Sequence, residues 1–165
     1  MRNLSSNLES SIHIIHENQE WTRPLFQELS NLNLPFVDWD MSNSIIDISS
    51  NAPRGIFYNR MSASSHTRGN RFAPETTIGL LAWLESQNRK VINGRNALNL
   101  EISKLVQYAS LKFVGLNVPS TIAVSKKDDI IEAYNTLRFQ EAITKHNRAG
   151  KGLGVQLLKS KNAVL

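Results

Sequence analysis

Lysine, arginine and glycine crowd into one stretch late in the chain: Ala142-Ile-Thr-Lys145-His-Asn-Arg148-Ala-Gly150-Lys151-Gly152-Leu-Gly154-Val-Gln-Leu-Leu158. A lysine ends a short apolar run, a glycine-rich turn with two more cations follows, and a second apolar run comes straight after. Glycine lets backbone N–H groups approach an anion closely, while Lys and Arg supply the charge. A lysine ammonium is a compact donor that reaches phosphate oxygens. The anion these residues suit is a nucleotide polyphosphate. Two familiar phosphate loops are excluded by spacing. A Walker A loop needs Ser or Thr directly after its lysine, and Lys151 is followed by Gly152. A dinucleotide fingerprint runs Gly-x-Gly-x-x-Gly into a helix, whereas Gly-x-Gly-x-Gly here enters a β-like segment. What remains is a strand–glycine turn–strand flap. An ordinary hairpin with a lysine-bearing tip has the same spacing.

A second candidate is the polar, basic segment from Asn59 to Arg71, which contains Arg60, His66 and Arg68. It follows a predicted strand directly, where α/β folds place ligand-binding groups. Asn59, Arg60, Arg68 and Arg71 could meet an acidic substrate or a partner, or form a solvated surface loop. His13 and His16 lie on or beside the first predicted strand with no carboxylate pattern around them, so packing or surface roles are expected rather than a metal site. No Ser-His-Asp or nucleophile-elbow pattern occurs, and no catalytic residue is assigned.

The elements that must position these residues alternate. Ser11–His16 reads as a strand. A helix starts at Asn18–Glu20, with Pro24 suited to its first turn and Trp21, Leu25, Leu29 and Leu32 on its apolar face. Asn31 and Asn33 break it before a strand at Pro35–Trp39. Residues 42–50 read as a short strand or hairpin arm, and Gly55–Tyr58 as another strand. Pro74-Glu75 opens a helix to about Gln87 with Ile78, Leu81, Ala82 and Leu84 inward, and Lys90–Asn93 is a short strand. The pattern then restarts. Asn99 can cap a helix carrying Ile102, Leu105, Val106, Ala109 and Phe113, which Gly115 closes. Val118–Val124 reads as a strand, and Ser125-Lys-Lys-Asp128 as a capping box leading a helix to about Leu137. Strands at Glu141–Lys145 and Val155–Lys159 flank the glycine turn. The expected class is α/β: a small, mostly parallel sheet domain over residues 1–95, then a second domain over 96–165.

Composition narrows the rest. The 165 residues are 41% hydrophobic, enough for a real core, and 20% charged. There is no cysteine, so neither disulfides nor thiolate metal sites can form. The N-terminal residues lack the apolar core of a signal peptide, and no run approaches the roughly 20 apolar residues that span a bilayer. A cytoplasmic location without membrane contact fits. The net charge of +5 suits nucleic acid, nucleotide phosphates or an acidic substrate. From Lys145 onward the cations are Lys145, Arg148, Lys151, Lys159 and Lys161, with no acid among them.

Three segments carry a resemblance in combination. They are Asn93 with Asn99-Leu-Glu-Ile-Ser-Lys104-Leu, then Gly115-Leu-Asn-Val-Pro119-Ser-Thr, then Lys145-His-Asn-Arg-Ala-Gly150-Lys-Gly152-Leu-Gly154-Val. Over residues 90–158 this order resembles the ATP-grasp superfamily, and its RimK-type glutamate ligase branch most closely. Before residue 90 the resemblance is topological. It implies a preATP-grasp-like parallel sheet domain followed by the first α+β subdomain of an ATP-grasp fold. It also implies that Lys104 and Lys145 contact ATP phosphates, and that the turn of Arg148, Gly150, Lys151, Gly152 and Gly154 covers the β- and γ-phosphates. His146 stands where such proteins commonly have proline, and Ser103 where an acid is frequent before the helix lysine.

The activity implied is ATP-dependent carboxylate–amine ligation through an acyl phosphate, adding an amino acid such as glutamate to an acidic acceptor peptide or small molecule. ATP is the implied nucleotide and Mg²⁺ the implied metal. Magnesium takes oxygen ligands, chiefly carboxylates, and no acid follows Glu141, so the metal ligands are absent from this chain. The expectation is a truncated ligase, inactive alone, completed by a complementing C-terminal half or acting as a homo-oligomer. The alternatives are a non-catalytic nucleic-acid-binding module and an interaction subunit. Aromatics among the cations would favour the first, and none occurs after Phe139.

Overall fold

The structure is a computed structural model that describes residues 11–148 and 152–159. Two compact units divide the chain, Met1–Ile102 and Ser103–Leu165.

The first unit is built on a four-stranded parallel sheet. Its elements are β1 (Ile12–His16), α1 (Gln19–Asn31), β2 (Phe36–Asp40), β3 (Ile56–Asn59), α2 (Ala73–Ser86), β4 (Lys90–Ile92) and α3 (Arg95–Ile102). The strand order is β2-β1-β3-β4. The register pairs His13 with Val37 on one side and Phe57 on the other. Strand order thus reverses between β1 and β3, the position at which open α/β sheets gather ligands.

The core lies on the sheet face carrying His13, Ile15, Trp39 and Phe57, against α2 and α3. Ile15, Phe57, Leu81 and Leu84 are fully buried there, and Leu98 and Ile102 of α3 join the same cluster. Each such side chain contributes about 1.5–3 kcal/mol by leaving water. On the opposite face α1 packs Thr22, Leu25, Phe26 and Leu29 toward the sheet, with Phe26 stacked on Phe36 at 5.0 Å. The apolar face expected through Trp21 and Leu32 is therefore turned, because both are exposed. Asn18 caps α1, its Oδ1 accepting from the Trp21 N–H at 3.0 Å. Pro24 falls inside the helix rather than in its first turn. It leaves the Glu20 carbonyl without its helical donor.

Residues 42–50 are not a strand. Asp40 Oδ1 accepts from the Ser42 N–H and Asp47 Oδ1 from the Ser49 N–H, each at 2.9 Å. These local turns satisfy the backbone before a ladder can. Within the basic segment, Ala63–Arg68 winds into a 3-10 helix started by Ser62.

The second unit holds α4 (Lys104–Phe113), α5 (Ile130–Leu137), β5 (Ala142–Thr144) and β6 (Gln156–Leu158). The last two pair antiparallel, with Ile143 opposite Leu157. The single helix expected from Asn99 is two helices. Ser103 interrupts it and caps the second, its Oγ accepting from the Val106 N–H at 3.2 Å. Among the described residues, 118–124 join no sheet: β propensity supplies an extended backbone but not a pairing partner. The capping box expected at Ser125 does not form either. A short 3-10 helix at Lys127–Asp129 runs directly into α5 without a side-chain cap.

Candidate functional site

Lys104 is the first residue of α4, a place it owes to the Ser103 cap. Lys145 directly follows β5. The two lysines, far apart in sequence, line one cavity of ≈ 740 Å³ within the second unit. Tyr108, Ile122, Tyr134 and Leu158 supply apolar wall to the same cavity. Tyr134 keeps its hydroxyl satisfied by donating to the Gln140 carbonyl at 2.6 Å. A cavity with apolar walls and two ammonium groups can hold a molecule with one flat, greasy part and one polyanionic part.

The hairpin between β5 and β6 closes beside it. Gly152 and Gly154 both take positive φ, +74° and +70°, and the Val155 N–H bonds the Gly152 carbonyl at 3.2 Å. A Cβ on Gly154 would collide with the His146 ring, while one on Gly152 would meet open space. Arg148 is half-buried and does not line the cavity. Gly150 and Lys151, also expected in the flap, lie outside the described residues. Sequence reasoning missed Asn147, which ties the end of β5 to the first turn of α4. The Leu105 N–H donates to its Oδ1 at 2.9 Å, and the Lys104 N–H to its carbonyl at 3.1 Å. No spacing signal marks that asparagine, and the Ser103 cap was likewise missed, because the helix was expected to run on from Asn99.

The basic segment of the first unit is largely engaged internally. Glu17, whose side chain is 1% exposed, pairs with Arg68 Nη2 and accepts from Arg68 Nε at 3.1 Å and Asn70 Nδ2 at 3.3 Å. The Arg68 guanidinium also covers the Trp21 ring at 4.7 Å. Asn59 is buried: its Nδ2 donates to the Asn93 carbonyl at 2.8 Å and its Oδ1 accepts from the Met61 N–H. Arg60 lies over Tyr58 and Arg71 over Phe72. His16 Nδ1 accepts from the Asn18 N–H, so its Nε2 carries the proton and donates to Asp38 at 2.7 Å. Burial works against the charge of Asp40. Hydrogen bonds from Ser42, with His16 and Gln19 nearby, outweigh it and hold the carboxyl below the usual range.

Among the described residues, no group of three His, Cys, Asp or Glu side chains is placed to hold a metal ion. No described helix is long and apolar enough to cross a membrane.

No family model matches the chain, and no curated protein matches its sequence. Solved structures do match. A RimK domain ATP-grasp protein from Sphaerobacter thermophilus superimposes with a TM-score of 0.64 at 15% identity, over 93% of this chain and 55% of that one. The chain has the fold of the N-terminal part of an ATP-grasp ligase. The ATP-grasp ligase PsnB with a minimal precursor gives a TM-score of 0.59 at 16% identity, over 90% of this chain and 56% of PsnB. PsnB with a precursor peptide and AMPPNP gives 0.58 at 16% identity, over 97% and 61%. This chain thus spans between 55% and 61% of the length of these ATP-grasp proteins.

Proposed function

We propose that the second unit binds the polyphosphate of ATP between Lys104 and Lys145, as one side of the nucleotide cleft of a carboxylate–amine ligase. The observation that carries this reading is that both lysines line one apolar-walled cavity in a chain with an ATP-grasp fold. The reaction is ligation in two steps. A carboxylate oxygen attacks the γ-phosphorus, forming an acyl phosphate and releasing ADP. An amine then attacks the acyl carbon, forming the amide and releasing phosphate and a proton. PsnB has been seen with a minimal precursor, Mg and ADP, which supports a peptide acceptor. The amino acid added is glutamate in the RimK-type reading. This chain's residues hold and orient phosphate.

Calorimetric titration of the 165-residue chain with Mg-ATP tests the reading. Replacing Lys145 or Lys104 with Ala should weaken binding tenfold or more, because a hydrogen bond to a charged group is worth about 1.5–3 kcal/mol. Equal binding by the wild type and both variants would sink it. The isolated chain should show no ligase turnover with a glutamate-rich peptide, ATP and glutamate.

A second reading, an interaction subunit completed by another polypeptide, is favoured by the exposed apolar side chains of the second unit. Phe113 is 91% exposed and Val114 66%. Exposed apolar surface on that scale marks association sites. A size measurement with and without a separately expressed C-terminal half of a RimK-type ligase tests it.

A further inference from the structure

Asn147 sits two residues beyond Lys145 and makes three hydrogen bonds to the start of α4. The Lys104 N–H donates to its carbonyl oxygen at 3.1 Å. The Leu105 N–H and the Ser103 hydroxyl donate to its Oδ1 at 2.9 and 3.2 Å. The Ser103 Oγ in turn accepts from the Val106 N–H at 3.2 Å. The amide orientation is fixed by this arrangement, because only the oxygen can accept from two donors. The first N–H groups of a helix lack partners within it. Here those of Lys104, Leu105 and Val106 are all used, two of them by Asn147.

Two consequences follow for the cavity. The helix N-terminus is occupied by protein, so an anion in the cavity meets side-chain ammonium groups rather than those backbone donors. And one residue links the two lysine backbones: its carbonyl accepts from the Lys104 N–H, and it sits two residues from Lys145 along the same strand exit. We propose that Asn147 is the positioning residue that sets the spacing of Lys104 and Lys145, and through it the affinity for a polyphosphate. The proposal rests on the phosphate-binding reading above. Asn147 touches no phosphate in this scheme. It acts by pre-placing two flexible cations, whose ordering otherwise costs binding energy.

Aspartate at this position separates fold from function. Its carboxylate accepts the same two bonds, and a negative charge at a helix N-terminus is favourable. It also adds a negative charge to the cavity that both lysines line, where it competes with phosphate. The chain has no cysteine, so a Lys104→Cys, Lys145→Cys pair can carry spin labels cleanly. In that background the label–label distance distribution should be narrow, should broaden with Asn147→Ala and should stay narrow with Asn147→Asp. This readout needs no nucleotide, so it judges the positioning role even if the phosphate reading fails. With both lysines intact and tripolyphosphate as the probe, Asn147→Ala and Asn147→Asp should each weaken binding at least fivefold. In a Lys104→Ala background, Asn147→Ala should add less than twofold. An unchanged distance distribution in Asn147→Ala overturns the proposal, as does a fivefold loss that persists in full without Lys104. Absence of tripolyphosphate binding by the wild type, with the distance result as expected, overturns the phosphate reading alone.

Discussion

The imidazole of His146 lies over Gly154, in the space that a side chain on that glycine would need. The hairpin turn is therefore closed by a contact between its two ends, one residue past Lys145 on one side and one residue before Val155 on the other.

Gly152→Ala and Gly154→Ala should consequently differ, although both glycines have nearly the same φ. At Gly152 the cost is backbone strain alone, about 1–2 kcal/mol for an L-residue in the left-handed region. At Gly154 the collision with His146 adds to it. Amide exchange at Ala142–Thr144 and Gln156–Leu158 should accelerate more in Gly154→Ala, and His146→Ala should recover the excess in the double variant. Equal acceleration by the two single variants would contradict this account.

Glu17 is a buried carboxylate whose charge is met by Arg68. Removing one partner of a buried pair costs about 3–5 kcal/mol, because a charge is left behind without compensation. Arg68→Ala should fall near the lower end, since the Arg68 side chain is 25% exposed and Asn70 still donates to Glu17. In a Glu17→Gln background the same change should cost far less. Trp21, Trp39 and Trp83 are the chain's only tryptophans and all belong to the first unit, so urea unfolding followed by their fluorescence reads that unit. An Arg68→Ala cost that is the same in both backgrounds would exclude a charge-based role.

His13 stacks on Phe57 at 4.3 Å, and its Nε2 bonds the Arg54 carbonyl at 3.0 Å. Its Nδ1 is buried without a hydrogen-bond partner among the described residues. Burial lowers its pKa from 6.5, and the Arg54 carbonyl offsets only part of that. Below 6.5 the unfolded chain takes up a proton that the folded chain refuses. Stability is therefore lost as pH falls from 6.5 toward the lowered folded value, by at most about 1.4 kcal/mol per pH unit. His13→Phe should flatten this slope between pH 7.5 and 5 in the same fluorescence experiment. A slope equal to that of the wild type would rule His13 out as its source.

Much of the first unit was legible because its strands are short β-rich runs punctuated by Asn, Pro and Gly. Asn33 and Asn93 take positive φ where α1 and β4 end, as their placement after apolar periods suggests. The glycine hairpin was legible for the same reason. The misread segments are those decided by local hydrogen bonds or by partners distant in sequence. Asp40 and Asp47 turned 42–50 away from a ladder, and Ser103 split a helix that apolar spacing alone made continuous. That split makes Lys104 a first-turn residue and brings it to the cavity of Lys145. Asn147 was illegible because its partners lie far away along the chain.

Within the second unit only Tyr134 and Leu158 are buried among the described residues, while the cavity between them and Lys104 is walled largely by apolar side chains. A ligand that draws this unit together moves the chain's own apolar surface out of water as well as its own. Such transfer carries a negative heat-capacity change. The enthalpy of binding should therefore become steeply more exothermic on warming, by more than the ligand's apolar area alone accounts for. The temperature slope of the binding heat, rather than the affinity, is where the looseness of this unit is recorded.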